Sequence, residues 1–272
     1  MADYKELESI EDFDIFDGTF ESVKDNLFMR LFNKRNLPFN KQLDDIPYIS
    51  YADLAITFSI EQKTYFDKRK GINSYLVTNE DMKRLNVNED ILKEIATKNV
   101  LDKNSVRIET IQQHIIRTHV LSPLTKVPDG NSMAMLNLEG PNNPIKPSTL
   151  FNGNQFGPLP IMSSGDTKDI LLISNRTQTF ASINIVMPEV LDEVYQEFKE
   201  NFYIVPSSIH ELICIKSSYV MNDGEKTEKQ AIEDLEDMVE QINDVVHNDT
   251  FNILSYNIYY HMHEDKCTMI VT

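Results

Sequence analysis

The chain has 272 residues, 41% of them hydrophobic and 25% charged, which suffices for a sizeable buried core in one large domain or two small ones. Its formal net charge of −17 repels nucleic-acid phosphates and anionic lipid, so a nucleic-acid partner is disfavoured. No window reaches the roughly 20 apolar residues of a membrane-spanning helix, which argues against a membrane role.

The opening stretch, MADYKELESIEDFDIFDGTFE, is acidic where a signal or transit peptide would be basic. Cys214 and Cys267 form neither a metal-binding spacing nor a disulfide framework. A reduced, cytoplasmic compartment is the expectation. Residues 1–21 hold eight acidic side chains against Lys5 alone, interleaved with Phe13, Ile15, Phe16 and Phe20. That composition predicts an acidic flexible tail over 1–18, able to dock on a partner.

From Thr19, a candidate N-cap, Phe20, Val23, Leu27, Phe28, Leu31 and Phe32 recur at three- and four-residue steps and predict a helix. Two prolines then break the period. Leu54, Ile56, Phe58 and Ile60 alternate as in a strand, and Ile72–Thr78 supplies a second, so the pair reads as a hairpin. Its tip carries Lys63, Lys68, Arg69 and Lys70, either a solvated turn or an anion contact. A helix from about Asn88 turns Ile91, Leu92 and Ile95 inward, and another near 105–118 carries Ile108, Ile111, Ile115 and Ile116.

Residues 121–169 hold seven of the eleven prolines and five of the eight glycines, the composition of a long loop or domain junction. Strand patterns resume at Ile170–Ser174 and Ala181–Val186, joined as a hairpin. Pro188 suits the first position of a helix whose buried stripe is Val190, Leu191, Val194, Tyr195 and Phe198. A last helix spans about 226–246, before strand-like segments at 253–261 and 267–271. Leu76-Val-Thr-Asn79 and Leu172-Ile-Ser-Asn175 each precede an amphipathic helix, so two related strand–helix halves, 19–120 and 170–272, are expected. The fold class is α+β, with antiparallel or mixed sheets covered by amphipathic helices.

The stretch FYIVPSSIHELICI, residues 202–215, concentrates the candidate chemistry. Ser207, Ser208, His210 and Glu211 are the residue types of a hydrolytic triad, yet a serine and a histidine two or three positions apart in one run rarely reach each other. No Gly-x-Ser-x-Gly elbow exposes a serine. Pro206-Ser-Ser instead suits a tight turn with hydroxyls bonded to nearby backbone, and His210 a partly buried, hydrogen-bonded residue. Asn79 and Asn175, at strand ends, are expected to cap turns. Together with Ser207, Ser208 and His210 they form the candidate binding set.

His114 and His119 miss the spacing that puts two ligands on one helical face; His261 and His263 could point the same way from a strand, but a solvated run is the commoner reason for such a pair. No metal site, phosphate loop or cofactor is expected.

The runs VKDNLFMRLFNKRNLPFNKQLDDIPYISYADLAITFSI, SYLVTNEDMKRLNVNEDILKEIATKN, LLISNR, FYIVPSSIHE and DLEDMVEQIND, over roughly residues 20–260, resemble a bacterial family of unknown function that is widespread in clostridia and their mobile elements and related to YtpQ-like proteins. The chain departs from its pattern in the short acidic residues 1–18, in Ala181-Ser-Ile and Met187-Pro-Glu, in a loosely matching last fifty residues, and in the insertion-like 121–169. The resemblance implies this fold order and a bacterial or phage origin, and transfers no mechanism. The leading expectation is a non-enzymatic interaction protein that binds a macromolecular partner, most simply a protein. The alternatives are a hydrolase using Ser207 or Ser208 with His210, and an acidic nucleic-acid mimic.

Overall fold

The computed structural model describes residues 3–38, 41–66, 69–115, 167–221, 226–246 and 252–271. The fold is α+β, with one five-stranded and one six-stranded sheet.

The first sheet contains β1 (Asp3–Glu6), β2 (Leu27–Asn33), β3 (Tyr48–Tyr51), β4 (Leu54–Phe66) and β5 (Arg69–Leu76). The long β4 is its spine. It pairs antiparallel with β2 along one side, and with β3 and then β5 along the other. β1 adds in parallel to the outer side of β5, which makes the sheet mixed.

Two expectations fail here. The acidic N-terminal segment is part of the fold: beyond β1, Ser9 caps a 3-10 turn at Ile10–Asp12, and Ile10 and Phe13 are buried in the core. Their burial, which charge counting overlooks, anchors the segment. The expected helix from Thr19 is β2 instead, and Thr19 bonds Asp17 rather than capping a helix. β2 is covered on both faces, and such a strand reads as a near-continuous apolar run whose positions also fit helical steps.

After the β4–β5 hairpin, Thr78 caps α1 (Asn79–Leu85) through a reciprocal pair of bonds with Asp81, and Asn88 caps α2 (Glu89–Lys103). α2 packs on β2 through Leu92, Ala96 and Val100, while Ile91, expected inward, is exposed. The helix expected near 105–118 is β6 (Val106–Thr110) followed by the short α3 (Ile111–Ile115). Because β6 pairs with β7 (Ile170–Asn175) of the second sheet, the expected boundary between two halves at residue 120 does not divide the sheets.

Ala181–Val186, expected as a strand, is a buried 3-10 segment lying between β2 of the first sheet and β7 of the second. The remaining elements are α4 (Pro188–Phe198), β8 (Phe202–Ser208), β9 (Glu211–Lys216), α5 (Ser217–Val220), α6 (Glu228–Val246), β10 (Ile258–Met262) and β11 (Cys267–Val271). The second sheet is antiparallel throughout, in the order β11-β10-β8-β9-β7-β6. Most of the expected loop at 121–169 falls outside the described residues, as does His119.

The two sheets share one core. Leu27, Leu31 and Phe58 from the first join Ile173, Phe202, Ile204, Leu212 and Cys214 from the second, with Val190, Leu191, Val194 and Phe198 of α4 beside them. Alternate side chains of β8 and β9, such as Tyr203, Val205 and Ile215, face the other way onto Leu235, Met238 and Val239 of α6. Each such fully buried side chain contributes about 1.5–3 kcal/mol. Polar links cross between the sheets as well. Asp53, in the β3–β4 turn, accepts the Ser255 hydroxyl at 2.6 Å and the Tyr259 hydroxyl at 2.5 Å. Arg30 of β2 pairs with Glu61 in the interior and lies 4.6 Å from the Phe180 ring centroid.

Candidate functional site

The PSSIHE stretch places its residues differently from a hydrolytic site. Pro206, Ser207 and Ser208 lie in β8 rather than in the turn; Ile209 and His210 make the turn, with a register irregularity between Pro206 and Ser208. Ser208 Oγ accepts the His210 backbone N–H at 3.0 Å, closing that turn. Ser207 Oγ donates to the Glu211 carboxylate at 3.4 Å.

Both imidazole nitrogens of His210 are engaged. Nδ1 accepts the Phe180 backbone N–H at 3.2 Å, which puts the ring proton on Nε2, and Nε2 donates to Asn252 Oδ1 at 3.1 Å. The ring is 5.6 Å from that of Phe180. Around it, Ser182 Oγ donates to Ile209 C=O, Ala181 N–H donates to His210 C=O, and Ile209 N–H donates to Asn252 C=O. The hairpin tip is therefore a junction, holding the 3-10 segment and residue 252 against the second sheet. A general base needs a nitrogen facing the proton it removes, and here both nitrogens hold scaffold groups.

The two asparagines of the candidate set have unlike environments. Asn79 is the first residue of α1, capped by Thr78, and its side chain donates to Asp44 C=O. Asn175 is fully buried and organises the loop after β7: Oδ1 accepts from Thr179 N–H and Thr177 Oγ, and Nδ2 donates to Thr179 C=O and Asn104 Oδ1. At the β4–β5 tip, the side chains of Arg69 and Lys70, and Lys68 altogether, lie outside the described residues.

A second constellation forms where the sheets meet, and the sequence hinted at it only through the His261–His263 spacing. His261 and Thr268 are cross-strand partners on β10 and β11, with His261 Nδ1 at 2.9 Å from Thr268 Oγ. His261 is 4% exposed, and its Nε2 is buried without a hydrogen-bond partner among the described residues. Burial, reinforced by the charge of neighbouring His263, holds its pKa below the ordinary histidine value. His263 stacks on Tyr195 at 3.7 Å and lies 3.2 Å from Asp192 Oδ1, without the alignment of a hydrogen bond. Burial also raises the Tyr51 phenol, and the Thr268 hydroxyl bonded to it pulls the other way.

His261, Thr268 and Tyr51 line a groove of about 390 Å³ together with apolar side chains from β2, β3, β4, the 3-10 segment and α4. Tyr51 and Asp192 are far from His261 in the chain, so no local motif could have announced the site. A second depression, on α2, lined by Asp90, Glu94, Lys98 and Leu101, is an open trough on a charged helix face.

His114 Nδ1 lies 3.0 Å from Glu109. Among the described residues no three His, Cys, Asp or Glu side chains cluster as a metal site, and no helix is long and apolar enough to cross a membrane.

Comparison with known families places the chain: residues 2–263 match the family described as "Family of unknown function (DUF5688)", and the chain belongs to it. No curated protein and no solved structure matches.

Proposed function

We propose that this chain is a non-enzymatic interaction protein of bacterial, phage or mobile-element origin, acting in the cytoplasm, that docks on a basic surface of a protein partner. The observation that carries this reading is the outer face of α6. Its inner face, with Ala231, Leu235, Met238 and Val239, covers the second sheet. Its outer face exposes Glu233, Asp234, Glu236, Asp237, Glu240 and Asp244. Lys226 and Lys229 pair with Asp234 and Glu233, and Glu236, Asp237 and Glu240 have no cation partner among the described residues. An exposed acidic face on which Glu236, Asp237 and Glu240 are left without a cation, on a chain of net charge −17, favours a cationic partner through long-range attraction. The hydrogen bonding around His210 supports the non-enzymatic reading over a hydrolase using Ser207 or Ser208.

The test is capture of the partner by the wild-type chain and by a variant carrying Glu236→Lys, Asp237→Lys and Glu240→Lys. These positions face solvent, so the fold should survive. Loss of the partner from the variant alone supports the proposal, and equal capture by both chains removes α6 from it. A nucleic-acid-binding protein among the captured partners, released by competing DNA, would favour the mimicry reading instead.

A further inference from the structure

We infer that the groove between the two sheets is a binding site for a small neutral amphiphile: an apolar body carrying one hydrogen-bonding oxygen. Its volume, about 390 Å³, lies in the range of small-molecule sites. Its floor is apolar, built from Met29, Ile49, Ile56, Ile185, Met187 and Leu191. One wall is polar but uncharged, with the Tyr51 and Thr268 hydroxyls beside the His261 imidazole.

The second, independent observation is the imidazole itself. His261 is 4% exposed, one ring nitrogen is taken by Thr268, and the other is buried with no partner among the described residues. An unsatisfied buried polar atom is costly, and a native structure that keeps one calls for an explanation. A ligand oxygen seated beside His261 would supply the missing hydrogen bond.

Charge selects the class of occupant. At the rim, Lys93 and Lys266 are offset by Glu189 and Asp192, so the groove carries no net charge of its own. The chain as a whole, at −17, repels free anions. Burial of His261 favours its uncharged form, so the wall offers dipoles rather than a charge. A cation would find only two carboxylates in the lining, Glu189 and Asp192, matched in number by the two lysines. A neutral molecule with an apolar body is what remains.

The test uses three probes with one aromatic body: 1-naphthol, naphthalene and 1-naphthoate. Each is titrated into the full chain labelled at its methionine methyls, so that Met29 and Met187 report occupancy. Saturable shifts at both methyls are expected, with 1-naphthol about fivefold tighter than naphthalene and about tenfold tighter than 1-naphthoate. His261→Phe should abolish the preference for naphthol over naphthalene while naphthalene still binds. Ile49→Phe, which narrows the floor, should weaken all three. The inference is overturned if neither methyl shifts saturably, if 1-naphthoate binds tightest, or if the naphthol preference survives His261→Phe. Should that variant unfold, the rank order on the wild-type chain decides.

Discussion

Replacing His210 by alanine separates a scaffold residue from a catalytic one, and the structure sets the magnitude. The change leaves the buried Phe180 N–H without its acceptor, a cost of about 1–3 kcal/mol. It removes the bond to Asn252 Oδ1, about 1 kcal/mol, and the contact with the Phe180 ring, about 1 kcal/mol more. The sum is about 4 kcal/mol. For a chain of this size each kcal/mol moves the melting temperature by about 2–4 °C, so the expected loss is about 8–16 °C. Thermal and urea unfolding followed by far-ultraviolet circular dichroism measure it. Asn252→Ala should lose less, and the double variant should fall short of the sum by about 1 kcal/mol, because the two side chains share one bond. A His210→Ala protein melting within about 2 °C of wild type would refute the junction argument and return His210 to the list of candidate bases.

Four other outcomes are expected. Glu61→Ala leaves Arg30 buried and unpaired and should cost about 3–5 kcal/mol, whereas the double replacement Arg30→Met with Glu61→Met should recover most of that in urea unfolding. Asp53→Ala removes the acceptor of both Ser255 and Tyr259 and should cost about 2–4 kcal/mol, with hydrogen exchange rising first across β3 and β10, which it ties together. Burial holds the His261 pKa below 6.5 in the folded chain, so its contribution to stability is complete above that pH and declines as pH falls from 6.5 toward the folded value; His261→Phe should flatten that part of the urea-midpoint profile between pH 7.5 and pH 5. Burial raises the Cys214 thiol, so Ellman's reagent should modify Cys267 in the native chain and Cys214 only after unfolding.

Where one physical signal dominated, the sequence spoke plainly. The alternation Leu54, Ile56, Phe58, Ile60 is the spine of the first sheet, Pro188 opens α4 at its first position, and the apolar stripe of α6 covers the second sheet. Errors arose where two periods fit the same residues. Leu27, Leu31 and Phe32 satisfy helical steps, but Leu27, Met29 and Leu31 also alternate, and pairing with β4, remote in sequence, decides between the two. Ala181–Val186 is apolar enough for a strand, yet it lies buried between the sheets as a 3-10 segment, with Asn184 bonding back to Ala181 C=O. The N-terminal segment misled because eight acidic residues outweighed Ile10 and Phe13, the residues that the core takes up.

The site was half legible. Proximity in the chain drew the eye to Ser207, Ser208 and His210, and the expectation that hydroxyls there bond locally matches the Ser208 bond to His210 N–H. The partners that occupy the imidazole, Phe180 and Asn252, are 30 and 42 residues away and carry no motif. The groove is assembled from five strands of the two sheets together with α2, the 3-10 segment and α4, and only the His261–His263 pair marked it in the sequence.

The most direct measurement of the central claim is the affinity of the purified chain for its captured partner as salt rises from about 50 mM to about 500 mM. Docking through the carboxylates of α6 predicts a steep, continuous fall in affinity for the wild type and a weak, nearly salt-independent interaction for the Glu236→Lys, Asp237→Lys, Glu240→Lys variant. An affinity that stays level with salt, or one that the three reversals leave intact, would contradict it.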